Sequence, residues 1–377
     1  PDAQIPPLYS YVLAAIYALF GRGYMQVGIL NTLMDVFSIL FLVDICRRLF
    51  TQGTLWKQST GVWVGLLAGL CYALYPYLIF QNLTVIDTPL WILFLHAFTW
   101  FMIRIREGET FTRQTGLFII GGGLILGLSI LARPIIPFFA VFVALWFLFR
   151  RSLWQTLLRL IPVALIGVMV VVPWIVRNYT IFDAFVPMTT TSGANLWQGN
   201  SKWVIPVFRA GYDVQWTAPE NLIAPRYSRE ADSERFQLAV QFWRENPDKI
   251  PELLWVKFLI HWHYQITPLY NPQPGESFAL DDDGNFFIAR GETVTGVTAS
   301  NVTYSDGSLL DTIGRPVHAL YFGGLLLLAT IGIFVSLRYW RDVSILYFVQ
   351  ISMTITYMIF HPSTRYRAPS DPLLFAL

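Results

Sequence analysis

The stretch "TGLFIIGGGLILGLSILARPIIPFFAVFVALWFLF", Thr115 to Phe149, carries one charged residue, Arg133, in 35 positions. Its two apolar runs, 115–131 and 134–149, meet at Ala132-Arg133-Pro134 and approach the roughly 20 residues that a helix needs to cross the hydrocarbon. The rest of the chain follows suit. Of 377 residues, 55% are hydrophobic, 16% aromatic and only 13% charged. Soluble domains carry about a quarter charged residues, so the composition is that of a membrane protein. A net charge of +2 argues against a nucleic-acid partner. Cys46 and Cys71 lie in apolar runs, and no spacing of Cys or His resembles a metal site. The chain starts at Pro1 and stops within "PLLFAL", so truncation at both ends is expected.

Hydropathy predicts spans near 25–46, 61–80, 88–103, 115–131, 134–149, 157–176, 316–337 and 343–360, with a cut one from about 368. Alternate connections are rich in basic residues: Arg47, Arg48 and Lys57; Arg104, Arg106 and Arg113; Arg150, Arg151 and Arg159; Arg338 and Arg341. The others are poor. They are "QNLTVID", "ARP" with Arg133, and the "HPSTRYR" turn. The positive-inside rule places the basic set in the cytoplasm and the poor set outside. The segment "PPLYSYVLAAIYALFG", about 6–20, is then external and too short to span, which suits an interfacial helix. Prolines at its start are tolerated because the first turn has no use for their missing N–H groups.

Three regions are expected: a membrane region over 1–176 with that interfacial helix and six spans, an external insertion over 177–315, and C-terminal spans over 316–377. Within the insertion, "DSERFQLAVQFWRENPDKIPELLWVKFLIHWHY" predicts two helices broken at "ENPDKIP", and the Gly- and Asp-rich run after Asn271 predicts turns or short strands. The class is an all-α polytopic membrane protein with an external region of mixed helices and turns.

Polar residues at the external layer are the candidate site. They are Asp87, Arg133, Arg177, Asn178, Lys257, His361, Arg365 and Arg367, with Asn195, Trp197 and Asn200 in the loop "SGANLWQGN". Ionisable groups at a membrane are functional candidates by default, and each also has a plainer reading. Asp87, in "DTPL", can cap the following span. Arg133 can snorkel, and Arg177 can anchor the end of a span. "HWH" at 261–263 is a poor metal pair, because residues two apart on a helix face apart. Arg365 and Arg367 share a face if the segment is extended, as Pro369 favours just before it. Paired guanidinium groups suit a phosphate or diphosphate, and a lipid headgroup is the plainer ligand.

Four stretches in order resemble the GT-C superfamily of membrane glycosyltransferases, nearest to the protein mannosyltransferase and aminoarabinose lipid A transferase type (dolichyl-phosphate-mannose-mannosyltransferase-like). They are "PPLYSYVLAAIYALFG" followed by a span ending "CRRLF", "LILGLSILARPIIPFF", "PWIVRNYTIFDAFVPMTTTSGANLWQGN" and "HPSTRYRAP". The resemblance implies sugar transfer from a polyprenyl-phosphate donor to a lipid, glycan or protein acceptor. It implies a site at the outer face of the cytoplasmic membrane, as in bacteria; with no metal cluster visible in the sequence, no obligatory metal or cofactor is expected. It implies a main catalytic carboxylate in a first loop upstream of Pro1, which leaves Asp2 without that role. Asp87 matches an acidic residue at the third-to-fourth span turn of the lipid A branch and is the catalytic candidate within the chain. Where that branch has an acidic residue and a lysine before "PP", this chain has Gln4 and Ile5, so the lipid A acceptor does not carry over. Arg365, Arg367, Arg177 and Lys257 are the donor-phosphate candidates; Arg133, Asn178, Asn195, Trp197, Asn200 and His361 are the pocket candidates. The rival readings are a transporter or flippase of lipid-linked substrates, which would carry midplane charges or inverted repeats, and a non-catalytic scaffold. Asp35 and Asp44 are the exceptions among spans that are otherwise almost uncharged.

Overall fold

The computed structural model of the protein describes residues 3–50, 58–219, 222–225, 228–273, 275–290 and 310–377. Asp2, Lys57 and the 291–309 part of the Gly- and Thr-rich tract lie outside them. In chain order the elements are α1 (Pro7–Phe20), α2 (Tyr24–Leu49), α3 (Gln58–Ala73), α4 (Pro76–Asn82), α5 (Thr88–Glu107) and α6 (Arg113–Ala132). Then come α7 (Ile136–Leu148), α8 (Leu153–Phe182), α9 (Ser192–Gly199), α10 (Val204–Arg209), α11 (Arg229–Glu245) and α12 (Ile250–His261). A hairpin of β1 (Glu276–Leu280) and β2 (Phe286–Arg290) precedes α13 (Arg315–Ser336), α14 (Trp340–Ile359), α15 (Thr364–Arg367) and α16 (Asp371–Leu374). The hairpin is antiparallel, with Ser277 opposite Ala289. The protein is all-α and polytopic.

Among the described residues, α2, α5, α6, α8 and the stretch Thr312–Ile359 are long and apolar enough to cross a membrane. The bent pair Thr60–Ala73 and Pro76–Asn82, at 59°, makes a sixth if it is one span. That stretch is 48 residues long, about 72 Å as a helix. A 3-10 turn at Leu337–Tyr339 divides it into α13 and α14, each of single-span length. The eight complete spans expected from hydropathy differ from this in two places. The 61–80 span is broken, because Pro76 removes an intrahelical donor and clashes with the preceding turn. The 134–149 span is a helix of only 13 residues, about 20 Å long. The apolar run from 368 starts with a 3-10 turn at Ala368–Ser370 and the four-residue α16, and all seven residues are buried. Gln350 Nε2 donates to Ser370 O (2.8 Å) and Tyr75 Oη to Asp371 Oδ2 (2.8 Å).

The chain forms two compact units, one of Pro1–Met188, Gly324–Met353 and Ala368–Leu377, the other of Thr189–Gly323 and Thr354–Arg367. In the first unit α5 is the core helix. Its span is 78% buried against 28% for α8, whose Ile161, Leu165, Val168 and Val172 are exposed on one face, as a lipid-facing stripe requires. Lipid tails are as apolar as leucine, so close contact rather than water exclusion holds such helices together. At Gly127 of α6 an added Cβ would lie 2.7 Å from Gly167 O of α8; only hydrogen fits there. Ser152 and Gln155 start α8 with a capping box. The basic connections also meet in this unit. Arg48 Nη1 bonds Glu107 (2.7 Å), Arg106 Nη2 donates to Arg341 O (3.0 Å), Arg150 Nη2 bonds Asp342 (2.5 Å) and Arg159 Nη2 donates to Gly108 O (3.0 Å). They therefore sit at one end of the helices, as their shared parity in the sequence requires.

The second unit packs α9, α10, α11, α12 and the hairpin around Trp197, Trp203, Val207, Val214, Leu253 and Phe278. Ser228 caps α11 by accepting from Ala231 N–H (3.1 Å).

Candidate functional site

In the first unit the start of α5 carries the chemistry. Asp87 stands at its N-cap position, yet its side chain makes no capping bond. The capping role expected from "DTPL" therefore gives way to another. Pro89 removes one of the backbone donors a cap would use, and Arg133 offers more. Its Nε and Nη2 each lie 2.7 Å from one oxygen of Asp87, and Nη2 also reaches Thr88 Oγ1 (3.4 Å). This is the bidentate fork that arginine makes with a carboxylate. The side chains are 10% and 21% exposed, so Arg133 is a buried partner rather than a snorkelling one. Tyr9 of α1 lies near Asp87; burial first, and then that negative charge, push its phenol up to about 12. Just below, Asp35 accepts from Tyr72 Oη (2.6 Å) and Asn82 Nδ2 (2.5 Å), and Asn31 Nδ2 donates to Thr84 O (3.3 Å). These bonds fix the α4–α5 turn that presents Asp87.

At the end of α8, Arg177 Nη1 donates to Asn178 Oδ1 (2.8 Å) and its guanidinium lies 4.6 Å from the centre of the Trp174 ring. Asn178 is fully buried and donates to Val186 O (3.0 Å) and Met188 O (3.3 Å). It closes the turn around Asp183, whose φ is 47°.

In the second unit Asn200 is the hub. Its Nδ2 donates to Leu196 O and Ile359 O (2.7 Å each), and its Oδ1 accepts from Trp243 Nε1 (3.1 Å) and Lys257 Nζ (2.9 Å). Lys257 Nζ also donates to Met358 O (2.8 Å) and Ile359 O (3.5 Å). Three acceptors thus meet three N–H groups on a fully buried side chain. Burial pulls the pKa of this ammonium down to about 7. Gly199 is required where α9 meets the 359–361 turn, since an added Cβ would collide with Phe360 O.

The turn holding Arg365 and Arg367 is helical, α15, and not extended. A helix turns about 100° per residue, so residues two apart separate. Arg365 is exposed, 5.9 Å from the centre of the Tyr366 ring. Arg367 is fully buried, with Nη1 donating to His263 O (2.7 Å) and His261 O (3.3 Å) and the guanidinium 3.6 Å from the centre of the Phe322 ring. His361 is buried edge-on to Tyr366, at 5.3 Å. Burial lowers its pKa, while Asp213 and the backbone of Asn195 oppose that. Trp197 is core and Asn195 exposed. His261 stacks on Tyr357 at 5.9 Å, and among the described residues no three His, Cys, Asp or Glu side chains are grouped to hold a metal.

Comparison with known proteins finds a family model that matches a little under half of the chain. Residues 4–176 match the dolichyl-phosphate-mannose-protein mannosyltransferase family. No curated protein matches the chain. Two solved structures do, both of ArnT from Cupriavidus metallidurans. The one bound to undecaprenyl phosphate is 12% identical, over 99% of this chain and 68% of that one, with a TM-score of 0.41. The apo one is 14% identical, over 99% and 67%, with a TM-score of 0.38.

Sequence reasoning missed Asp213, which is 5% exposed in the short turn "GYDVQW". Its carboxyl caps that turn by accepting from Gln215 N–H (3.0 Å). Burial raises its pKa, with His361 and Arg365 pulling the other way. A lone aspartate after Gly-Tyr looks like an ordinary turn residue; only the fold sets it beside residues 361–365.

Proposed function

We propose that the protein moves a sugar from a polyprenyl-phosphate-linked donor to a lipid, glycan or protein acceptor at the outer face of a bacterial cytoplasmic membrane. The observation that carries the reading is the family match over residues 4–176, the part of the chain that holds the Asp87–Arg133 pair. Breaking a sugar–phosphate bond builds negative charge on the departing lipid phosphate, and a preorganised cation stabilises it. Arg365, exposed in the turn after α14, takes that role. Lys257 and Arg367, whose N–H groups already meet protein oxygens, act by charge and by holding the 358–367 segment. Arg177 is a further cation for the phosphate. Asp87, with its two oxygens fixed by Arg133, is the carboxylate on the acceptor side, where a base must come within hydrogen-bond reach of the hydroxyl. In the first unit Asn178 holds the turn after α8; in the second, Trp197, Asn200 and His361 hold the segments next to Arg365, and Asn195 is the exposed polar candidate.

The test is the protein in proteoliposomes with radiolabelled polyprenyl-phosphate sugars. A transferase releases lipid phosphate and labels an acceptor. Movement of intact donor across the bilayer without cleavage would instead establish a transporter, and neither outcome a scaffold; both defeat the proposal.

A further inference from the structure

The second unit contains a cavity of about 200 Å³ between the end of α10, the Gly211–Asp213 turn, the 263–269 turn after α12, and Pro362. We propose that this cavity is a subsite for one neutral, hydroxyl-bearing sugar ring, held through Asp213.

Its walls are preformed. Gly211 O accepts from the N–H groups of Leu269 (2.8 Å) and Tyr270 (3.1 Å), which ties two of the turns together. Thr267 N–H donates to Thr364 Oγ1 (2.8 Å) and Thr364 N–H to Thr267 O (3.3 Å), which ties in the third. A volume near 200 Å³ lies below the roughly 300–1,000 Å³ of pockets for drug-sized ligands; it suits a single small ring.

The lining decides the chemistry. Tyr212, Ile260, Leu269 and Pro362 give apolar surface for the C–H faces of a ring. Asp213 is almost wholly buried, and among the described residues Gln215 N–H alone donates to it. A buried carboxylate calls for two or three donors, and vicinal hydroxyls supply them. An anion is disfavoured by this carboxylate. A cation is disfavoured by the positive influence of His361 and Arg365 on Asp213, while Arg209 in the lining is paired with Glu252. Neutral hydroxyls meet neither objection. The choice of a sugar over other neutral polyols rests on the glycosyl-transfer reading.

The probe is methyl α-mannopyranoside, and the readout is saturation-transfer NMR on the whole protein in nanodiscs. Ring protons should be saturated with the native protein. Asp213→Asn keeps the capping oxygen but loses the charge, and should weaken binding about tenfold or more. Leu269→Trp fills the cavity and should abolish the signal. Asp213→Asn is isosteric and decides the matter alone if Leu269→Trp does not fold. Binding equal to native in Asp213→Asn, or no saturation of the native protein at tens of millimolar, overturns the subsite. Tenfold preference for glucosamine over the mannoside also overturns it, in favour of a cation site. A protein that binds the mannoside through Asp213 but cleaves no lipid-linked sugar keeps the subsite and loses the transferase. One that transfers sugar, with mannoside binding indifferent to Asp213→Asn, does the reverse.

Discussion

Replacing Arg133 by leucine takes the fork off Asp87 and leaves its carboxylate 21% exposed with little water to replace two charge-assisted bonds at 2.7 Å. Removing one partner of a buried pair costs about 3–5 kcal/mol, and the residual exposure of Asp87 points to the lower end, about 3 kcal/mol. Asp87→Asn strands the guanidinium beside Thr88 and should cost about 2 kcal/mol. The double variant strands neither charge, so it should lose far less than the sum, with a coupling of about 2 kcal/mol. The assay is reversible unfolding in mixed micelles titrated with sodium dodecyl sulfate, followed by tryptophan fluorescence. Sugar transfer is measured on the same preparations. Additive losses, with coupling under about 0.5 kcal/mol, would refute the view of Asp87 and Arg133 as one unit. Native transfer rates in folded Asp87→Asn would remove Asp87 from the acceptor side.

The buried ammonium of Lys257 gives a pH signature. Its folded pKa is near 7 and its unfolded value about 10.4. Between those values the unfolded chain binds a proton that the folded one does not. Stability therefore rises with pH from about 7 to about 10, by up to roughly 4 kcal/mol; Lys257→Met should flatten that slope in melting curves taken across the range. Arg367→Ala empties two carbonyl partners and a ring contact. It should cost about 3 kcal/mol of stability, whereas exposed Arg365→Ala should leave melting unchanged and slow donor use about tenfold. Equal melting of the two alanine variants would contradict the different burial of these side chains. Gly199→Ala forces a methyl onto the 360 carbonyl and should lower stability by about 2 kcal/mol or more, read as lost thermal shift and poor yield of folded protein.

Long apolar runs are legible because one chemical need, twenty residues without charge, is written in contiguous sequence. Hence α2, α5, α6 and α8 fall close to their expected positions, and the four arginine-bearing connections share one end. The bend at Pro76 was equally local, yet hydropathy averages over it. Arg365 and Arg367 went astray because Pro369 biases the residue before it only weakly, while tertiary bonds around Thr364 and Arg367 favour a helical turn. Asn200 was legible as a candidate and not as a hub: its amide joins Leu196, Trp243, Lys257 and Ile359, and the last of these partners lies 159 residues away. Asp213 gave no local sign at all.

The length of α8 has its own geometric outcome. Its 30 residues, with Pro162 and Pro173 inside, measure about 45 Å along the axis. The hydrocarbon is about 30 Å thick, and fitting the whole helix within it would take a tilt near 48°, beyond the 0–40° that spanning helices show. Part of α8 must therefore stand clear of the lipid tails. Its polar stretch near the C-terminal end, Arg177-Asn178-Tyr179-Thr180, is the part suited to do so. The helix then acts as a mast that carries the Asn178 clasp and the segment to Met188 out among the headgroups. Shortening α8 by one turn ahead of Pro173 would lower that clasp by about 5 Å, back toward the depth of the acyl chains.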